Sequence, residues 1–199
     1  MIAIIDYGAG NIKSIKNALD YLGAKSKITD KAKDILEADK VVFPGVGSFG
    51  DVMATLKKKK LIMPIETAIK KGKPFLGICV GLQVLFESSE ENPKVKGFGI
   101  LKGDIVRFRK GKIPHIGWNR IKVKKDTLRI KKRIFKEDYF YFVNSYYVKP
   151  KDKSIIAATA NYYGEFVSAI QYRNITAVQF HPEKSGKQGL DTLRRWLEC

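Results

Sequence analysis

The sequence predicts an α/β fold, a mainly parallel central sheet flanked by helices, with additional antiparallel strands in the C-terminal half. Three observations predict it. The first half alternates short apolar runs with segments of helical period, a pattern that implies right-handed crossovers and parallel strands. The second half changes period, and six strand-like runs follow one another. No repeat, linker or low-complexity tract interrupts the 199 residues, of which 44% are hydrophobic. That suits a single domain over 1–199 with a real core.

Taken in order, Ile2–Asp6 reads as a first strand. Asn11–Leu22 is helical, with Ile12, Ile15, Leu19 and Leu22 on one face, Asn11 as its cap and Gly23 as its stop. Lys25–Ile28 is a second strand and Lys31–Glu37 a short helix. Lys40–Phe43 is a third strand, ended by Pro44-Gly45. A helical stretch runs from Ser48 through Lys71, broken near Pro64. Pro74–Ile78 is a fourth strand and Val80–Glu87 a helix. Ile105–Phe108, Asn119–Val123, Tyr139–Val148, Ser154–Ala160, Phe166–Tyr172 and Ile175–Phe180 read as strands, the last two joined by a tight turn at Arg173-Asn174. Gly186–Leu197 closes the chain as a helix presenting Leu190, Leu193 and Leu197.

Composition excludes several classes. No apolar run approaches the roughly 18 residues of a membrane span. Cys79 and Cys199 are too few for a disulfide framework or a zinc cage. The start carries no basic leader, so a reduced, cytoplasmic protein is expected. The net charge of +18 suggests nucleic acid. However, 30 of the 38 basic residues are Lys, whereas base and phosphate readout favours Arg. The densest basic tract is Lys122–Arg133. Its Ile121-Lys122-Val123-Lys124 start alternates like the solvated face of a strand, and Lys57–Lys60 at a helix end complements the helix dipole.

The chemistry begins at Gly77-Ile78-Cys79-Val80-Gly81, after an apolar strand and before a helix. This is the context of a nucleophile elbow, with Cys in the place of Ser. A helix N-terminus behind the sulfur favours thiolate. The chain offers two histidines as base. His181 ends an apolar strand with Glu183 two residues on, placed to orient it; His115 lies in a loop-like stretch with no acid closer than Asp104. The loop Pro44-Gly45-Val46-Gly47-Ser48 exposes backbone N–H groups as an oxyanion hole needs, with the Val80 N–H as a second donor. No Gly-Lys-Ser/Thr follows it, which excludes a P-loop.

In this order the oxyanion loop, the Cys elbow and His-Pro-Glu resemble the class I, triad-type glutamine amidotransferases over nearly the whole chain. Asp6-Tyr7-Gly8-Ala9-Gly10-Asn11, Pro114-His115-Ile116-Gly117-Trp118-Asn119 and Tyr141-Phe142-Val143-Asn144-Ser145-Tyr146-Tyr147 make it similar, within that group, to the glutaminase subunits of imidazole glycerol phosphate synthases. Ser48 and Asn144 depart from the pattern, where His is common; neither belongs to the triad. The resemblance implies Cys79 as nucleophile, His181 as base and acid, and Glu183 as orienter. It implies an oxyanion hole from Val46, Gly47 and Val80, and glutamine held by Gln83, Ser145 and Tyr146. It also implies a face of Asn11, Pro114, Trp118, Tyr141 and Lys184 that docks a barrel-shaped cyclase subunit in a heterodimer. It implies no metal and no organic cofactor. Three rivals remain: the same glutaminase feeding another synthase, a stand-alone cysteine hydrolase, and a nucleic-acid-binding module.

Overall fold

The computed structural model describes residues 1–8, 11–124 and 134–199. In chain order its elements are β1 (Ile2–Ile5), α1 (Ile12–Tyr21), β2 (Ser26–Thr29), α2 (Ala32–Glu37), β3 (Lys40–Phe43), α3 (Phe49–Lys58) and α4 (Ile62–Lys70). Then come β4 (Phe75–Ile78), α5 (Val80–Gln83), β5 (Ser88–Ser89), β6 (Gly103–Arg107), β7 (His115–Val123), β8 (Tyr139–Asn144) and β9 (Tyr146–Pro150). The last are β10 (Ile156–Asn161), β11 (Glu165–Tyr172), β12 (Ile175–Val178) and α6 (Gly186–Leu197).

The main sheet runs β2-β1-β3-β4-β12-β11-β10-β7-β8. From β2 to β12 every neighbouring pair is parallel. From β12 to β8 every pair is antiparallel. Apart from the edge strand β2, the parallel strands are buried on both faces, which is why they read as unbroken apolar runs rather than alternating ones. Ala3, Ile5, Val41, Phe43 and Phe75 pack against Ile35, Leu56 and Ile65 of α2, α3 and α4. Ile4, Val42, Leu76 and Ile78 face the other way, onto Ile15 and Leu19 of α1 and Leu193 and Trp196 of α6. The result is three layers, helix on sheet on helix, with the antiparallel strands extending one edge.

Four expectations need correction. The stretch expected to break near Pro64 breaks earlier, between Lys58 and Ile62, with Lys60 in a left-handed turn at φ 56°. Pro64 instead lies in the first turn of α4, where a missing N–H costs no intrahelical bond. The helix expected over Val80–Glu87 is a single turn. The carbonyls of Val84, Leu85 and Phe86, which would extend it, accept from the N–H groups of Phe98, Leu101 and Gly99 at 2.8–3.1 Å. Tyr139–Val148 is two strands that part at Ser145: β8 pairs with β7, whereas β9 joins a small second sheet of order β5-β6-β9. Periodicity reports which face is buried but not which neighbour is paired. Finally, the loop-like stretch around His115 is the start of β7.

Several other expectations hold. The turn at Arg173-Asn174 joins antiparallel β11 and β12, and the last helix spans Gly186–Leu197. Ile121 is buried while Lys122 and Lys124 point to solvent, as a solvated strand face requires. The rest of the basic tract, 125–133, lies outside the described residues. No helix among the described residues is long and apolar enough to cross a membrane.

Trp196 anchors α6 from within the second core and is 1% exposed. Trp196→Ala should therefore destabilise the protein by about 3–5 kcal/mol, read as a lower denaturant midpoint with an unchanged slope. A loss under about 1 kcal/mol would mean that α6 collapses into the space.

Candidate active site

Four adjacent strands, β1, β3, β4 and β12, carry the functional residues past their carboxyl ends, where open parallel sheets place their sites. Cys79 follows β4 with φ 53° and ψ −106°, a left-handed backbone that a residue with a Cβ adopts only under constraint. The constraint is close packing. A Cβ on Gly77 would overlap the Gly81 carbonyl, and one on Gly81 would overlap the carbonyl of Phe43 on β3. The elbow therefore turns within a space that only glycines leave open. Cys79 ends almost buried, at 8% exposure.

His181 arrives from β12. Its backbone N–H donates to Tyr141 O at 2.9 Å, and Ser185 Oγ donates to its carbonyl at 2.6 Å, so the loop after β12 is gripped from two sides. Its Nδ1 lies 2.8 Å from Glu183 Oε1. Asn11 Nδ2 donates to the same carboxylate oxygen at 3.1 Å. Nε2 is buried without a partner at full hydrogen-bond geometry, and Cys79 is the group that acts on it. Burial alone would push the imidazole pKa down from 6.5; Cys79 and then Glu183 outweigh it and raise it to about 10. A raised value means that the fold favours imidazolium. That contribution is complete below about 6.5 and is lost as pH rises through about 10. The three groups expected as a triad are thus together.

The loop 44–48 packs onto the elbow: a Cβ on Gly45 would overlap Val80 Cγ1. Val80 opens α5, so its N–H has no acceptor within that turn. The Val46 N–H, expected as an oxyanion donor, is instead engaged with the Tyr7 hydroxyl at 3.1 Å. Gly47 has φ 122°, beyond the reach of ordinary L residues.

Gln83 and Tyr146 are brought together, since Gln83 Nε2 donates to Tyr146 O at 3.3 Å. The same Nε2 donates to Gln179 Oε1 at 3.3 Å. Gln179 Nε2 in turn reaches Cys79 Sγ at 3.5 Å. Ser145 is the junction between β8 and β9, and its carbonyl accepts from Phe108 N at 3.0 Å. Sequence reasoning missed Gln179 and Tyr7. The signal for Gln179 was available, a polar residue inside the apolar run ending at Phe180. Tyr7 gave none, because its partner is a backbone group 39 residues away.

Of the expected docking residues, Trp118 is 54% exposed and meets Tyr141 edge to face, with ring centroids 6.2 Å apart. Lys184 Nζ lies 5.9 Å from the Tyr141 ring centre. Pro114 directly precedes β7, and Asn11 begins α1 in a left-handed turn with no side-chain cap, its amide spent on Glu183. His115 is buried, stacked 4.1 Å from Tyr162 and 5.3 Å from Phe142. Burial lowers its pKa, opposed by hydrogen bonding with Asn144. It packs within an aromatic cluster, and Glu183 stands on His181 instead. Among the described residues no group of three or more His, Cys, Asp or Glu is placed to hold a metal ion.

A strained cysteine elbow beside a buried His–Glu pair, at the carboxyl edge of a mixed sheet, defines a class of enzyme. The family described as glutamine amidotransferase class-I matches residues 3–197, and the chain belongs to it. Within that class it groups with proteins named imidazole glycerol phosphate synthase subunit HisH. It is 48% identical over 196 residues to the one from Pyrococcus furiosus, covering 98% of this chain and 97% of that one. It is 47% identical over 199 residues to the one from Caldanaerobacter subterraneus, covering 100% and 98%. The Arabidopsis thaliana protein named imidazole glycerol phosphate synthase hisHF is 46% identical over 202 residues, and the match spans 34% of its length. The fold matches a crystal structure of a glutamine amidotransferase with TM-score 0.79 at 16% identity, over 100% of this chain and 98% of the other.

Two outcomes follow from this geometry. In Cys79→Ala the imidazole keeps its burial but loses its largest raising partner, so His181 should titrate at lower pH than in the wild type, measured by ring NMR. An unmoved midpoint would mean that Glu183 alone holds the proton. For acylation of Cys79 by an amide substrate, His181→Asn should cost about as much as Cys79→Ser, while Glu183→Gln should cost less, because burial and the backbone contacts of His181 with Tyr141 and Ser185 remain. Equal losses for Glu183→Gln and His181→Asn would overturn that ranking.

Proposed function

We propose that this chain is the glutaminase subunit of an imidazole glycerol phosphate synthase, hydrolysing glutamine and passing ammonia to a cyclase partner in histidine biosynthesis. The observation that carries the reading is the His181 Nδ1–Glu183 contact of 2.8 Å beside the left-handed Cys79. Nearly full-length identity of 47–48% to HisH subunits supports it. The plant hisHF relative, of whose length this chain matches about a third, supports a partner that works in contact with the glutaminase.

The Cys79 sulfur attacks the side-chain carboxamide carbon of glutamine, since thiolate is the nucleophilic form. A C–S bond forms and the carbonyl becomes an oxyanion, stabilised by backbone donors of the Val80 turn and the 46–47 loop. His181 gives its proton to the nitrogen, because an amide anion is too basic to leave. The C–N bond breaks, ammonia departs and a glutamyl thioester remains. His181 then takes a proton from water as it attacks the thioester, releasing glutamate and restoring the sulfur. Glu183 holds the imidazole ring in register for both transfers. Gln83 and the 145–146 segment hold the substrate.

Ammonia in bulk water takes up a proton and loses its nucleophilicity. A closed path into the partner avoids this, and the exposed Trp118 with Tyr141, Lys184, Pro114 and Asn11 forms the docking face. The cyclase closes an imidazole ring with the nitrogen, giving imidazole glycerol phosphate and an aminoimidazole carboxamide ribotide. The cytoplasm is where this occurs.

Glutamate release from glutamine, measured with and without a cyclase subunit and its ribotide ligand, tests the proposal. Release should be slow alone and strongly raised by the loaded partner. Cys79→Ser should abolish it, while ammonium salts should restore ring closure by the Cys79→Ser complex. An intact complex that ammonium cannot rescue would overturn the ammonia-transfer role. Cys199 is exposed at the chain end, and Cys199→Ala should leave turnover unchanged.

A further inference from the structure

His115 stands where an apolar ring would pack. It is buried, and its imidazole lies between Tyr162 and Phe142, ring centroids 4.1 and 5.3 Å away, with Phe108 and Phe166 edge to face. Burying ring nitrogens among aromatic rings is unfavourable unless they find hydrogen-bond partners. The partners are amides on either side. Asn119 Nδ2, four residues along β7, lies 3.4 Å from Nε2. Asn144 lies directly opposite His115 in the β7–β8 register. His115 Nδ1 and Asn144 Oδ1 are both buried, and among the described residues neither has any other partner. Burial, the larger cause, lowers the imidazole pKa, and hydrogen bonding with Asn144 opposes it.

Backbone carbonyls at both ends fix which way this row points. Asn119 Nδ2 donates to Asn161 O at 2.9 Å, so the amino side of that amide is the side that faces Nε2. Nε2 is therefore an acceptor, and the ring proton sits on Nδ1. At the other end, Asn144 Nδ2 donates to Tyr146 O at 3.0 Å, which leaves Oδ1 for the imidazole. An Nδ1–H donor thus meets an amide oxygen. Asn144 ends β8 and Tyr146 begins β9, so the Asn144–Tyr146 contact spans the break at Ser145, where the chain passes from one sheet to the other. Tyr146 O also accepts from Gln83 Nε2 at 3.3 Å. Both acceptor positions of that carbonyl are then filled, one from β8 and one from the turn after Cys79.

We propose that His115, as the neutral Nδ1–H tautomer, is a positioning residue that orients the Asn144 amide onto the Tyr146 carbonyl and so fixes the glutamine-binding segment across the β8–β9 break. This rests on the glutaminase reading above and adds to it a residue that sets affinity for the substrate. His115 touches neither the substrate nor the sulfur; it acts through Asn144. The aromatic stack fixes the plane of the ring, and the two amides fix which nitrogen carries the proton.

Glutamate release by the complex with ligand-loaded cyclase, measured over a range of glutamine concentrations, tests this. His115→Phe keeps an aromatic ring in the stack and removes both nitrogens. It should raise KM for glutamine about 5-fold, the worth of one lost hydrogen bond, with kcat little changed. Asn144→Leu should raise KM by at least as much, and the double variant should be no worse than Asn144→Leu alone, since the two residues act in series. His115→Asn sets an amide near the place of Nδ1 and should recover part of the affinity while giving up the stack. If the ring only filled space, Phe would be the mild replacement and Asn the severe one, read in melting temperature with KM unmoved. Nitrogen-15 NMR of the wild type should show the His115 proton on Nδ1. An unchanged KM in a folded His115→Phe, additive losses in the double variant, or a proton on Nε2 each overturn this proposal alone. A wild-type complex that releases no glutamate overturns the glutaminase reading and this proposal together.

Discussion

The left-handed backbone at Cys79 is the constraint on which the site depends. A non-glycine residue at φ 53° carries strain of about 1–3 kcal/mol, and the chain would relax if the surrounding structure let it. It is held because β4 is hydrogen-bonded on both sides, to β3 and β12, and buried on both faces. The elbow has no room to unwind: Gly77, Gly81 and Gly45 are the points where backbone meets backbone or the Val80 side chain. The cost of the strained turn is offset by the apolar area that β3, β4 and β12 bury. The same close packing brings the 44–48 loop and the end of β12 to the sulfur.

The antiparallel half holds His181 in place, whereas Cys79 comes from the parallel half. β8 grips the backbone of His181 through Tyr141, and Ser185 bridges both, with its Oγ accepting from Tyr141 N at 3.0 Å. These contacts place a buried imidazole and carboxylate where each is paired. An unpaired buried charge would be strongly unfavourable, whereas a hydrogen-bonded pair is tolerated. The parting of β8 from β9 matters for the same reason. It brings the Tyr146 carbonyl to Gln83, which links through Gln179 to the sulfur. A row of amides therefore ties the second sheet to the elbow.

Several lysines pair with acids at the surface, among them Lys59 with Asp30, Lys102 with Glu87 and Lys124 with Glu165. Such pairs are exposed and contribute little stability each. The candidate site gathers its groups from strand ends within the core, away from this basic coat.

Much was legible from the residues in order. Apolar runs alternating with helical periods gave the parallel half, because strands buried on both faces must be apolar throughout. Glycines flanking Cys79, and Glu183 two residues after His181, marked the candidate triad, because an elbow and an oriented imidazole are local features with local signatures. What the tertiary structure decided were pairings between distant segments. Pro64 gave a false stop because a first-turn proline costs a helix no bond. The turn after Cys79 proved short because its carbonyls are claimed by residues 98–101, which no local pattern reveals. Strand period could not divide Tyr139–Val148 between two sheets, since period reports burial and not partner. Tyr7 on Val46, Asn11 on Glu183 and Gln179 on Cys79 are hydrogen bonds across 39, 172 and 100 residues. Hydrogen bonds depend on positions in space, and only the folded sheet brings the ends of β1, β3, β4 and β12 side by side.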